Sequence, residues 1–172
     1  MTLRELFTAL SNAMEQAYAD NDSLLSCTDA DEALARVADE IGHRTLGALG
    51  FEFMGKGMFS KAWKGNLGWG DIVIKLGYTW EGVNQPSKQE LARAPMLRER
   101  LTPTLMQSKF VVVQPLTANF ESSNCEKWQA RFRKAADGLY SRLLVYSSCA
   151  FDAHLGNVGF YKGRMTIFDA QT

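Results

Sequence analysis

An excess of charge of either sign is missing from this sequence: Lys+Arg and Asp+Glu both number 19 among 172 residues. No global field therefore draws the chain to nucleic acid or to an anionic membrane surface. Cysteine is sparse too. Cys27, Cys125 and Cys149 are odd in number and widely spaced, which argues against a disulfide framework and suits a reducing compartment. With only His43 and His154, and no CxxC pair, a structural zinc site is not expected. No apolar run approaches the roughly 20 residues needed to span a bilayer. The opening "MTLRELFTALSNAMEQ" carries charges inside its apolar pattern, so no secretory leader is expected either. The expectation is a soluble cytoplasmic protein with no membrane association and no direct nucleic-acid binding.

What is present is periodicity. Leu3, Leu6, Phe7, Leu10, Met14 and Ala17 form a helical stripe ending near Tyr18. A second helix is expected with Asp29 as N-cap and Glu32 as its capping partner. Its stripe runs through Leu34, Val37, Ala38, Ile41 and Thr45, with Gly47 and Gly50 marking its end. From Phe51 the period changes. Glycines and the turn signals "KGN" and "GWGD" predict three antiparallel strands near 51–55, 58–64 and 71–77. "QPSKQELARAPMLRERL" reads as a helix opened by Ser87 with Glu90 and interrupted at Pro95. "KFVVVQPL" reads as a strand buried on both faces and ended by Pro115. After Asn124 a long helix is expected, with Trp128, Phe132, Ala136, Leu139, Leu143 and Tyr146 on one face. The chain then closes in a hairpin, with a strand from 157, a turn at "YKGR" and a strand over 164–168. This order of elements is α+β.

Two glycines, Gly55 and Gly57, stand in "GKGMFSKAW". A hairpin explains them without function, whereas a phosphate loop needs glycine so that backbone can approach phosphate oxygens closely. No helix follows directly, which excludes a dinucleotide fold, and GxxxxGK[ST] is absent. A glycine hairpin folded over phosphates remains. That arrangement demands a cation on the next strand, and "DIVIKLG" supplies Lys75. Strand alternation puts Val73 and Lys75 on one face, Ile72 and Ile74 on the other. Lys75 then suits α/β-phosphates and Val73 the adenine.

The closing "FDAHLGNVGFYKGRMTIFDAQT" supplies the other half of such a site. Asp152 would orient an acceptor hydroxyl. Asn157 offers a neutral oxygen to a metal, and Asp169 the anionic oxygen that hard Mg²⁺ prefers. His154 is assigned no catalytic role.

"GKGMFS", "VIKLG" and "FDAHLGN…IFD" together resemble the eukaryotic-type protein kinase core, and more narrowly the compact kinases that short-tailed lytic bacteriophages make early in infection. The resemblance runs from about Phe51 to Asp169. It implies a minimal protein-kinase-like fold: an antiparallel β-sheet lobe with an N-terminal helical pair and a reduced C-terminal helical lobe. The chain would be one domain over 1–172, with helices at 1–50, a nucleotide-binding lobe at 51–118 and a reduced catalytic lobe at 119–172. Gly55, Gly57 and Ser60 match the glycine loop and Lys75 the phosphate-binding lysine. Asp152 matches the catalytic aspartate, and Asn157 and Asp169 the metal-binding pair. The cofactors implied are ATP and Mg²⁺, and the partners are host proteins phosphorylated on Ser/Thr in the host cytoplasm during takeover of transcription and translation.

The sequence departs from the family at several points. Phe151 replaces a common arginine, Asp169 is followed by "AQT" rather than Phe-Gly, and no activation loop or full peptide-binding lobe is evident. Either Glu90 or Glu99 would pair with Lys75. The missing lobe keeps open a second reading, a kinase-derived protein that binds and inhibits a host or defence protein without phosphoryl transfer. A small-molecule phosphotransferase, whose "HGDxHxxN" loop is similar, ranks last for want of a substrate lobe.

Overall fold

The computed structural model describes residues 1–21, 27–57, 59–68, 70–79, 82–83, 101–119 and 158–167, together with Lys134 and Gly138. The chain divides into two compact units, Met1–Val83 with Thr104–Leu116, and Asn84–Pro103 with Thr117–Thr172. Both helices and strands are present, so the α+β class holds.

In the first unit, helix α1 (Leu3–Asn21) and helix α2 (Cys27–Ile41) cover one face of a five-stranded sheet. A capping box opens α1: the Thr2 N–H donates to Glu5 Oε2 at 2.7 Å, and the Glu5 N–H donates to Thr2 Oγ1 at 3.2 Å. The stripe Leu6, Leu10, Met14 and Ala17 is buried as its spacing requires. Asp29 lies within α2 and is not its N-cap. An acidic residue in a first turn also favours the helix dipole, so the same signal fits both positions.

After Ile41 the winding loosens into a π turn over Gly42–Leu46 and tightens again over Gly47–Leu49. The extra residue per turn shifts the phase, so Leu46 is fully buried where the regular period pointed to Thr45. Gly42 lies flat against the Trp63 ring, since a Cβ there would fall 2.0 Å from an indole carbon. The helical run ends as expected at Gly50, left-handed at φ 80°. The Phe51 N–H reaches the Leu46 carbonyl and the Gly50 N–H the Gly47 carbonyl, a Schellman ending.

The sheet contains β1 (Glu52–Lys56), β2 (Ser60–Asn66), β3 (Asp71–Gly77), β4 (Met106–Gln107) and β5 (Val111–Pro115), in the order β1-β2-β3-β5-β4. Every neighbouring pair is antiparallel. "KGN" continues β2 and does not turn. Gly65 is glycine there because the Phe51 ring lies on it, 2.5 Å from where a Cβ would stand. "GWGD" does turn, with Gly68 and Gly70 at positive φ. Val111 to Gln114 are all buried, as the continuous apolar run implied.

Ile72, Ile74 and Leu76 of β3 join Val111, Val113 and Trp63 in a core closed by α1 and α2. Lys61 shares this face with Trp63 and is 7% exposed. It ties α2 to the sheet, with Nζ 2.6 Å from Asp39 Oδ2 and 3.3 Å from the Ala35 carbonyl.

The second unit includes a three-stranded sheet of β6 (Ala118–Asn119), β7 (Val158–Tyr161) and β8 (Arg164–Ile167), ordered β6-β7-β8. Lys162 and Gly163 both take positive φ, 50° and 75°, so the expected turn is a tight two-residue hairpin of the kind matched to strand twist. Leu101 bridges to Ile167, and the Thr102 hydroxyl meets that of Thr166 at 3.1 Å. Leu101 therefore lies outside any helix, although the helix expected over 85–101 reached it. That helix, with Ser87 and Pro95, otherwise falls outside the described residues. Of the long helix expected after Asn124, Lys134 and Gly138 are described, and both are helical.

Asp39→Asn leaves the buried Lys61 ammonium without an anion. Because Asp39 is half exposed, the expected loss is about 1–2 kcal/mol, between exposed and buried pairs, read as a lower urea midpoint at unchanged m. Lys61→Met, which removes the charge and keeps the stem, should cost less. The backbone hydrogen bond from Thr2, then its side-chain bond, holds Glu5 below the ordinary glutamate value. The stability this contributes is complete above the ordinary glutamate range and is lost as pH falls through the lowered value. Thr2→Val should raise the Glu5 titration midpoint observed by NMR.

Candidate functional site

The helix-covered face of β3 fixes what the other face carries. Since Ile72, Ile74 and Leu76 are inward, Asp71, Val73 and Lys75 face the opposite way. Register places Ala62 of β2 and Val112 of β5 on either side of Lys75, and Lys64 and Gln114 on either side of Val73. Lys75 is only 6% exposed. Ala62, Val73 and Val112 are its neighbours on that face.

Gly55, Gly57 and Ser60 belong to the β1–β2 hairpin. The register slips between Phe53 and Gly55, so Met54 bulges out and Gly55 pairs with Ala62, the partner of Lys75. Gly55 therefore stands two strands from the lysine, with Ala62 of β2 between them. The Gly57 N–H donates to the Ser60 carbonyl at 2.8 Å, closing the hairpin. Gly57 thus has its amide committed within the hairpin and can serve a phosphate only by its lack of a side chain. Its φ is not positive, and a Cβ there would stand 3.5 Å from the nearest atom, an ordinary contact. The hairpin itself does not need glycine at 57.

Tyr78 closes this end of the sheet. Its N–H donates to the Phe59 carbonyl at 3.0 Å and its hydroxyl to the Gly57 carbonyl at 2.5 Å. Burial, reinforced by the nearby Asp31 carboxylate, pushes the phenol above its ordinary value.

Reasoning from sequence missed Ala62, Lys61 and Tyr78. Alternation alone would have put Lys61 on the face of Trp63, where a lysine must find a partner. Ala62 and Tyr78 needed the register and the hairpin geometry.

At the opposite end of the same strands lies a depression of about 260 Å³, lined by Glu52, Lys64, Asn66 and Asp71 among others. In it Lys64 pairs with Glu52 at 2.9 Å, and the Asn66 amide donates to Asp71 Oδ1 at 3.0 Å.

Asp152, His154, Asn157 and Asp169 lie outside the described residues, as do Glu90 and Glu99. Among the described residues no group of three His, Cys, Asp or Glu could hold a metal ion, and no helix is long and apolar enough to cross a membrane. Compared with known proteins, the chain matches no family model and no curated relative.

Two glycine substitutions separate packing from site. Gly65→Ala drives a methyl into the buried Phe51 ring and should cost about 1–3 kcal/mol in urea unfolding. Gly57→Ala meets only an ordinary contact and should shift stability by less than about 1 kcal/mol.

Proposed function

We propose that this chain is a serine/threonine protein kinase of the compact bacteriophage type, transferring the γ-phosphate of ATP to host proteins in the host cytoplasm. One observation carries the reading: a glycine hairpin between the first two strands and a buried lysine on the third, joined through the pairs Gly55–Ala62 and Ala62–Lys75. Protein kinases use these parts in this order, a glycine loop over the phosphates and a lysine on the third strand that grips them. An antiparallel sheet with two helices against one face and the lysine on the other agrees with a nucleotide-binding lobe.

In this reading Lys75 neutralises the α/β-phosphates, and Val73 with Ala62 forms the apolar floor under the adenine. Gly55, Gly57 and Ser60 cover the phosphates. Asp152 accepts or orients the proton of the acceptor hydroxyl, the group whose removal costs most in proton-transfer chemistry. Asn157 and Asp169 are the residues that would hold Mg²⁺, one neutral and one anionic oxygen donor of the hard type the ion takes. Mg²⁺ supplies charge neutralisation on the phosphates, and the chain itself supplies position and electrostatics.

The test is labelling of host protein with ATP and Mg²⁺ by the full chain. Asp152→Ala should lower the rate about 10²–10⁴-fold. Lys75→Met should weaken ATP binding, and Asp169→Ala should lower labelling and raise the Mg²⁺ concentration it requires. Full labelling by Asp152→Ala sinks the enzymatic proposal. Retention of the effect on host cells in Lys75→Met and Asp169→Ala favours the inhibitory binding protein instead.

A further inference from the structure

The glycine hairpin is tied down by a residue that lies outside it. Tyr78 follows β3 directly and takes two of the hairpin's carbonyls, Phe59 by its N–H at 3.0 Å and Gly57 by its hydroxyl at 2.5 Å. The backbone bond follows from the β2–β3 ladder, which pairs Ser60 with Gly77. The hydroxyl bond does not, because it reaches across the ladder to the far side of the turn.

We infer that Tyr78 is a latch, a positioning residue whose hydroxyl holds the glycine hairpin in the form that receives the nucleotide phosphates. The inference rests on the kinase reading above and names what makes its loop ready for ligand.

The physical reason is carbonyl direction. A loop that covers phosphates must keep its carbonyl oxygens, which carry partial negative charge, turned away from them. Bonding the Gly57 carbonyl to the Tyr78 hydroxyl holds that oxygen on the tyrosine's side of the hairpin. Gly57 has no side chain to restrict its own rotation, so this bond adds to the one between the Gly57 N–H and the Ser60 carbonyl in fixing it. The hydroxyl is a reliable donor, because burial and Asp31 keep the phenol protonated well past neutral pH. The ring is held in turn by Lys56 and Lys61, whose Nζ atoms lie 4.9 and 5.7 Å from its centroid. Lys61 is anchored to α2 through Asp39, so the latch connects the hairpin to the helical layer.

Tyr78→Phe removes the hydroxyl and keeps the ring over both lysines. In the full chain without nucleotide, amide exchange across residues 57–60 should rise about five- to tenfold, with exchange in β3 and β5 unchanged, the size expected for one lost hydrogen bond. With ATP and Mg²⁺, Kd and KM for ATP should rise by a similar factor while kcat at saturating ATP stays within about twofold, the mark of a group that positions the loop before chemistry. Wild-type exchange in the variant overturns the latch. Faster exchange with wild-type ATP affinity and KM overturns its role toward nucleotide. If the unsubstituted protein binds no ATP, the kinase reading itself falls and the nucleotide role with it, an outcome separate from a variant that matches a binding-competent parent.

Discussion

The period-two geometry of β3 governs this molecule. Ile72, Ile74 and Leu76 are locked under two helices, and both edges of the strand are hydrogen-bonded, to β2 and to β5. A slip by one residue would put Lys75 in the core and three aliphatic side chains outside it. At about 1.5–3 kcal/mol for each exposed side chain, the slip costs roughly 5–9 kcal/mol before the buried charge is counted. The position of Lys75 on the face away from the helices is thus enforced by its neighbours. The same constraint puts Val73 beside it and Ala62 across from it.

Two lysines are nearly equally buried in this sheet, on opposite faces. Lys61, on the helix face, is held within 2.6 Å of Asp39 and also reaches a main-chain carbonyl of α2. That is sufficient reason for its presence: it fastens a helix to a strand and supports the Tyr78 ring. Lys75 lies on the face that the two helices do not cover, beside an apolar strip and one strand from the glycine hairpin.

Much of this was legible in the sequence, for identifiable reasons. The ends of β3, the glycine at the close of the second helix and the "YKGR" turn were readable because each depends on a local rule, alternation or a left-handed position. Asp29 misled because an acidic residue suits both a cap and a first turn. Thr2 and Glu5 formed a capping box that the apolar stripe concealed, although the T-x-x-E spacing was there to see. "KGN" looked like a turn until Phe51, distant in sequence, was found resting on Gly65. The phase shift to Leu46 comes from a π turn that no local pattern announces. The two-residue strands β4 and β6 are too short for any periodicity to register. As for the candidate site, its lysine half was readable from alternation, whereas Tyr78 required the folded hairpin to bring residue 78 to residue 57.

A fold class of this kind does not by itself give an activity, and here no kinship supplies one. The functional reading must rest on features that folding alone leaves unexplained. Gly65 and Gly42 are explained by folding, since aromatic rings occupy the space of their side chains. Lys61 is explained by its ion pair. Gly57 is different: neither its backbone angle nor its neighbours demand glycine, yet its carbonyl is fastened by a phenol from another strand. On the kinase reading proposed above, the bare backbone of Gly57 and the ammonium of Lys75 would meet one polyphosphate.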